Sequence, residues 1–215
     1  MDRDTYQTIL DNLVQIQFSG RISYDFYNEP LLHPKIAELV SLTKERLPKT
    51  KIHLYTNGTL LTEKKLYDLL VAGVDYFVVT RHEQDETSTS YKFDSVFKNL
   101  AENVRAKIRY QSYKDLVLVN RGGLLKNIAK EGLALSPCHI PSHMMTITVD
   151  GRVLSCFEDF QEKLIFGDLK KEKLIDIWKK DSYINFRRNL QKGLRHMHSP
   201  CDGCSRKQSL PPFDV

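Results

Sequence analysis

The chain has 215 residues, 41% hydrophobic and 27% charged, with 32 Lys and Arg against 27 Asp and Glu for a net charge of +5. That is room for one large domain with a small appendage, and for a core that takes about 70% of the unfolded surface out of water. There is no basic run, no long apolar stretch, and the opening Met1-Asp2-Arg3-Asp4 is unlike a signal peptide. No nucleic-acid or membrane partner is therefore expected, and a cytoplasmic location is.

Along the chain, Thr5 to Gln17 carries Ile9, Leu10, Leu13, Val14 and Ile16 at helical spacing, behind Asp4 as N-cap. Arg21 to Tyr27 reads as a strand and Pro34 to Leu47 as a helix stopped before Pro48. Lys51 to Tyr55 is a strand closed by Thr56-Asn57-Gly58, and Thr62 to Val71 a helix ended by Gly73. Asp75 to Thr80 has the β-branched and aromatic content of a buried parallel strand. A helix from Tyr91 to Arg105 and a strand from Leu116 to Val119 follow. Strands alternating with helices predict βα units and a parallel sheet. After Gly122-Gly123 the pattern changes: Met144 to Val149 and Arg152 to Ser155 form a hairpin around Asp150-Gly151, then Ile175 to Lys179 and Tyr183 to Leu190 are short helices. The expected fold is α/β, a parallel body over 1–136 with a small hairpin-plus-helices metal domain over 137–215.

All four cysteines fall into one spaced set. Cys138 is followed after twelve residues by Gly151, four more lead to Cys156, and a gap of 44 leads to Cys201 and Cys204. A Cys-x2-Cys pair in such a chain suits metal ligation better than disulfides. Four thiolates from a hairpin and a knuckle close one tetrahedral zinc or hold one iron–sulfur cluster, and spacing does not separate the two.

Polar residues gather where strands end. Tyr27-Asn28-Glu29-Pro30 follows the first strand, Thr56-Asn57 the second, Arg81-His82 the third, and Asn120-Arg121-Gly122-Gly123 the expected fourth. In parallel sheets this is the edge where ligands bind. Taken singly, each is also an ordinary turn. Glu158 and Asp159, just past Cys156, either accept hydrogen bonds from a polyol or are solvated loop charges.

At these residues the chain resembles a radical S-adenosylmethionine enzyme. Asn28-Glu29-Pro30 is similar to the family's Gly-Gly-Glu-Pro motif, with Tyr27-Asn28 in place of the glycines, and Thr56-Asn57-Gly58 to its Thr-Asn-Gly strand end. Cys-x12-Gly-x4-Cys followed by Cys-x2-Cys resembles the twitch domain, the short form of the SPASM auxiliary-cluster domain, and Asp168, Leu174 and Ile177-Trp178 resemble its helix lead-in. The resemblance implies a (β/α) barrel, here partial and lacking its first strand. Tyr27, Asn28, Glu29, Pro30, Thr56 and Asn57 would hold S-adenosylmethionine, and Cys138, Cys156, Cys201 and Cys204 an auxiliary 4Fe-4S cluster. It further implies oxidation of a secondary alcohol of an aminocyclitol or sugar to a ketone, as in aminoglycoside biosynthesis. A deoxyadenosyl radical would take the carbinol hydrogen and the auxiliary cluster the remaining electron, with a flavodoxin- or ferredoxin-type donor as partner. Arg121 is the implied catalytic residue. Since arginine keeps its proton, it orients and stabilises rather than acting as base. His82 and Glu158 are the candidate substrate contacts.

The family's Cys-x3-Cys-x2-Cys triplet is not among these residues. The expectation is an N-terminally truncated or inactive form, or one half of a split enzyme. The rival from another class is a non-catalytic four-cysteine zinc or iron–sulfur protein serving structure or electron transfer.

Overall fold

Helix α1 (Arg3–Gln15) starts where the Asp2 carboxylate accepts from the Thr5 N–H at 2.7 Å. Asp2, not Asp4, is thus the N-cap, and Asp4 falls in the first turn, where its charge favours the helix dipole. The structure is a computed structural model that describes residues 1–82, 91–116, 118–128 and 136–206. Its contacts divide the chain into residues 17–116 and a second unit formed by 1–16 together with 117–215. The boundary expected at 136/137 thus differs from the one the contacts draw, and α1 belongs with the C-terminal segment.

In residues 17–116 four parallel strands pair in the order β1 (Arg21–Ser23), β2 (Lys51–Thr56), β3 (Tyr76–Arg81), β4 (Ile108–Ser112). Between them run α2 (Ile36–Arg46), α3 (Glu63–Ala72), α4 (Phe93–Asn99) and α5 (Glu102–Arg105). Ile52, Leu54, Phe77 and Val79 share a buried core with Val40 of α2 and Leu66 of α3. The alternate residues are mostly polar, His53, Tyr55, Thr80 and Gln111 with the buried Val78 among them, and Gln111 donates to the Thr80 hydroxyl at 3.0 Å. One apolar and one polar face is what a barrel sheet with a ligand-binding interior presents. The parallel α/β class expected from the sequence is the one that forms.

Three elements differ from expectation. Strand β1 stops at Ser23 rather than Tyr27, because the Asn28 amide turns the next residues into a loop, accepting from Phe26 N at 2.6 Å and donating to Tyr24 O at 3.3 Å. The helix expected over Tyr91 to Arg105 breaks at Leu100, whose ψ of 145° is extended. The fourth strand lies at Ile108–Ser112 instead of Leu116 to Val119. Ile108 is in the core and Tyr110 packs against it, whereas Leu118 is 72% exposed; residue 117 of the expected strand lies outside the described residues.

The second unit holds a three-stranded antiparallel sheet, β5 (Thr146–Ile147), β6 (Arg152–Leu154) and β7 (Ile165–Asp168), with α6 (Ile140–His143), α7 (Leu174–Lys179) and α8 (Asp181–Gln191). The Asp150-Gly151 turn forms as expected, Gly151 taking φ +92° and Thr148 N bonding Arg152 O at 2.9 Å. Strand β7 has no periodic signal in its four residues, and its Gly167 sits where a Cβ would lie 2.6 Å from Ile177 of α7. Tyr183, Phe186 and Leu190 form the buried stripe of α8, with Tyr183 stacked on Phe166 at 4.1 Å. From α1, Asn12 Oδ1 accepts from Leu174 N at 2.8 Å, satisfying a donor at the start of α7. Among the described residues no helix is long and apolar enough to cross a membrane.

Candidate functional site

Within residues 17–116, the carboxyl ends of the strands bring together Glu29, Thr56 and Asn57. Glu29 Oε1 accepts from Leu31 N at 3.0 Å and from the Thr56 hydroxyl at 2.7 Å, while Oε2 accepts from Asn57 N at 2.8 Å. A carboxylate offers about four lone-pair directions, so one remains on Glu29. Pro30 is buried and opens the 3-10 turn Pro30–Leu32, which fixes Glu29 at its N-cap. Tyr27 stands at φ +51° and is exposed, and Asn28 shapes the loop through its own backbone. Gly58 takes φ +75°, and the Tyr91 hydroxyl donates to Asn57 O beside it. His82 follows β3 at the same edge and is exposed, outside the Glu29 network among the described contacts.

In the second unit the four thiols form the other cluster. Cys156 follows β6 and its Sγ accepts from Glu158 N at 3.3 Å. Cys138 N bonds the carbonyl of Leu190 at 2.9 Å at the end of α8. Cys201 and Cys204 sit in a turn in which Cys204 N bonds Cys201 O at 3.3 Å. All four are free and half-buried. Burial first, then the charge of the other thiols, pushes the Cys156 pKa far up and Cys201 up to about 12, while burial and then the Glu158 charge push Cys204 up. They are close enough to feel one another's charge, yet among the described residues no three His, Cys, Asp or Glu side chains converge on one ion position. Four neighbouring thiols are a donor set that suits an iron–sulfur cluster, whose irons would offset the charge that free thiols resist.

Beside the thiols lies a buried carboxylate. Glu158 is 2% exposed; Oε1 accepts from Arg206 Nε at 2.9 Å and Nη2 at 2.5 Å. Its Oε2 has no hydrogen-bond partner among the described residues, and Arg121 Nη1 stands 3.9 Å away. Asp159 is buried too, accepting from Lys163 N and Leu164 N at 2.9 Å each, so neither acid is a solvated loop charge. Arg121 is held at φ +51° in a loop packed on the cysteine knuckle. A Cβ on Gly122 would lie 2.9 Å from Pro200, and one on Gly123 3.3 Å from Gly203. Those glycines are there for close backbone approach. Asn120 fastens the two loops, its amide bonding Gly203 O, Gly123 N and Ser205 N at 2.8 to 3.1 Å.

Sequence reasoning placed Asn120 in a strand-end motif without its fastening role, and missed Arg206 and also Arg195, whose fork bonds the carbonyls of Arg206 and Pro137. An isolated arginine in a polar segment reads as a surface charge, and no spacing rule would have singled it out.

Residues 138–205 match the SPASM domain, an iron–sulfur cluster-binding domain. Over 205 residues the chain is 39% identical to the S-adenosyl-L-methionine-dependent 2-deoxy-scyllo-inosamine dehydrogenase of Niallia circulans, covering 95% of this chain and 80% of that protein. The crystal structure of BtrN in complex with AdoMet and 2-DOIA superposes with a TM-score of 0.89 at 39% identity, over 96% of this chain and 81% of that one. Selenomethionine BtrN in an open conformation gives 0.77 at 31% identity, over 96% and 80%.

Proposed function

Because the chain belongs to the radical S-adenosylmethionine family that contains 2-deoxy-scyllo-inosamine dehydrogenase, we propose that it serves the oxidation of a secondary alcohol of an aminocyclitol or related polyol to a ketone. The observation that carries this reading is Glu158, a buried carboxylate two residues from Cys156 with one oxygen still open to a donor. A substrate hydroxyl would satisfy Oε2, and Arg121 would orient it and stabilise charge on its oxygen. His82 is a further substrate contact in this reading.

Alcohol oxidation removes the carbinol hydrogen as an atom, the hydroxyl hydrogen as a proton, and one further electron, leaving the carbonyl. When bound, S-adenosylmethionine supplies the acceptor for the hydrogen atom and a four-thiolate cluster the acceptor for the electron. Cys138, Cys156, Cys201 and Cys204 would hold that cluster. Tyr27, Asn28, Glu29, Pro30, Thr56 and Asn57 would hold S-adenosylmethionine, Glu29 offering its remaining lone pair to the methionine ammonium. All four cysteines of this chain lie between 138 and 204, so cleavage of S-adenosylmethionine draws on ligands from outside these 215 residues. The reductant is a flavodoxin- or ferredoxin-type protein.

Anaerobic iron–sulfur reconstitution followed by calorimetric titration with 2-deoxy-scyllo-inosamine tests the proposal. The expected result is about four irons per chain and saturable binding that Glu158→Ala abolishes. A colourless protein with one zinc would overturn it. The second reading is a structural or electron-transfer role for the same cluster. A loaded protein that binds no aminocyclitol would establish that role.

A further inference from the structure

Arg195 is 1% exposed, a depth at which a guanidinium is stable only if it is paired. It sits in the 3-10 turn Arg195–Met197, between α8 and the Cys201–Cys204 knuckle. Among the described residues no carboxylate lies within ion-pair distance of it. Its partners are two backbone carbonyls: Nη1 donates to Arg206 O at 2.9 Å and Nη2 to Pro137 O at 3.0 Å. Pro137 immediately precedes Cys138, and Arg206 stands two residues after Cys204. The fork therefore ties together the two chain segments that carry three of the four thiols. Its Nε is buried and has no hydrogen-bond partner among the described residues.

What a buried cation without a carboxylate lacks is an anion, and its charge reaches the thiols of Cys201 and Cys204. Burial raises the pKa of both Cys201 and Cys204, and the Arg195 charge acts against that rise on each of them. Four thiolates around an iron–sulfur core leave a net negative charge, and accepting an electron adds one more. A fixed positive charge in a water-poor site favours the more negative state, and hydrogen bonds toward the sulfurs shift cluster potentials in the same direction.

We propose, resting on the reading that these thiols hold an iron–sulfur cluster, that Arg195 is the residue that poises it: the buried counter-charge and Nε donor that make the cluster easier to reduce. Its two carbonyl bonds hold the charge at a fixed distance from the thiolates, so the effect does not depend on a mobile side chain. Arg195 is a positioning residue in this scheme and touches no substrate. Its consequence for the reaction is that the electron left on the oxidised carbinol has a more favourable acceptor.

The test uses the whole chain and two variants, neutral Arg195→Gln and charge-conserving Arg195→Lys. Each is reconstituted anaerobically, its iron is counted, and the cluster is titrated potentiometrically with the reduced signal followed by electron paramagnetic resonance. At the wild-type midpoint, Arg195→Gln should show an about tenfold lower ratio of reduced to oxidised cluster, equivalent to about 59 mV for a one-electron couple. Arg195→Lys should keep most of the wild-type ratio. Loaded Arg195→Gln with the wild-type midpoint overturns the proposal. Should Arg195→Gln fail to load, Arg195→Lys decides: a near-wild-type midpoint sustains the proposal, while failure to load, or a shift as large as tenfold, makes the backbone clamp the whole role and overturns it. Wild-type protein that takes up no iron defeats the cluster reading itself, and that result is read before any potential is measured.

Discussion

Replacing Asn120 with alanine should unfasten the Arg121 loop from the cysteine knuckle at a cost that can be worked from the structure. The side chain is 3% exposed. Its Nδ2 donates to Gly203 O at 2.8 Å, and its Oδ1 accepts from Gly123 N at 3.1 Å and Ser205 N at 2.8 Å. Alanine removes all three bonds and leaves one carbonyl and two N–H groups without partners in a tight space. At about 1 kcal/mol per bond, and more for groups left buried and unpaired, the loss is about 3–5 kcal/mol. For a chain of this size that lowers Tm by roughly 10 °C. Asn120→Asp keeps both acceptor bonds but sets an oxygen against the Gly203 carbonyl, so it should cost about 2–3 kcal/mol. Differential scanning calorimetry of reconstituted protein reads both. Asn120→Ala melting within about 2 °C of wild type, with cluster content unchanged, would refute the idea that this amide joins the two loops.

Two further outcomes follow from residues 17–116. Glu29→Gln replaces a carboxylate oxygen with an NH2 group that faces a donor whichever way the amide turns, so urea unfolding should show a loss of about 2 kcal/mol. Equilibrium dialysis should show S-adenosylmethionine affinity down by at least about tenfold; wild-type affinity would exclude Glu29 from that site. Asp75 links two elements, accepting from Lys44 at 2.6 Å, Lys51 at 3.2 Å and Ile52 N at 2.9 Å. Burial works against its ionisation, but the bonds from Lys44, Ile52 and Lys51 outweigh it, leaving the folded pKa below its ordinary 3.8. With the folded value depressed, the stabilisation is present above the unfolded pKa and disappears as pH falls through the folded one. The stability gap between wild type and Asp75→Asn should therefore be flat from about pH 5 to 8 and close below about pH 4. A gap that widens in acid would contradict this.

The parts of the fold legible in the sequence are those whose cause is local. Gly73 ends α3 as read, in a left-handed conformation at φ +114°, while Thr62, read as the first helical residue, is the N-cap that accepts from Lys65 N. The β-branched run of β3 is buried along almost its whole length. Long-range causes were invisible. Leu116 to Val119 looks as much like a strand as Ile108 to Ser112 does, and the choice is made by which segment pairs with Phe77 to Arg81. In the site, the cysteine spacing and the strand-end motifs were readable because a ligand set and a βα turn each leave a local pattern. Glu158 was readable only as an open choice between ligand contact and surface charge, and its burial against Arg206, 48 residues away, excludes the second.

Since α1 is built into the unit that bears the thiols, with Asn12 bonded to Leu174 162 positions downstream, that unit is stitched from segments on either side of residues 17–116. During synthesis α1 must wait, through the 162 positions that separate Asn12 from Leu174 and roughly 8–32 s of translation, for the segment it caps. Delivery of iron and sulfide to the thiols then becomes a late event, after both the Cys138–Cys156 and the Cys201–Cys204 segments have been made. Deleting the opening helix would be felt first in metallation and only second in the parallel sheet.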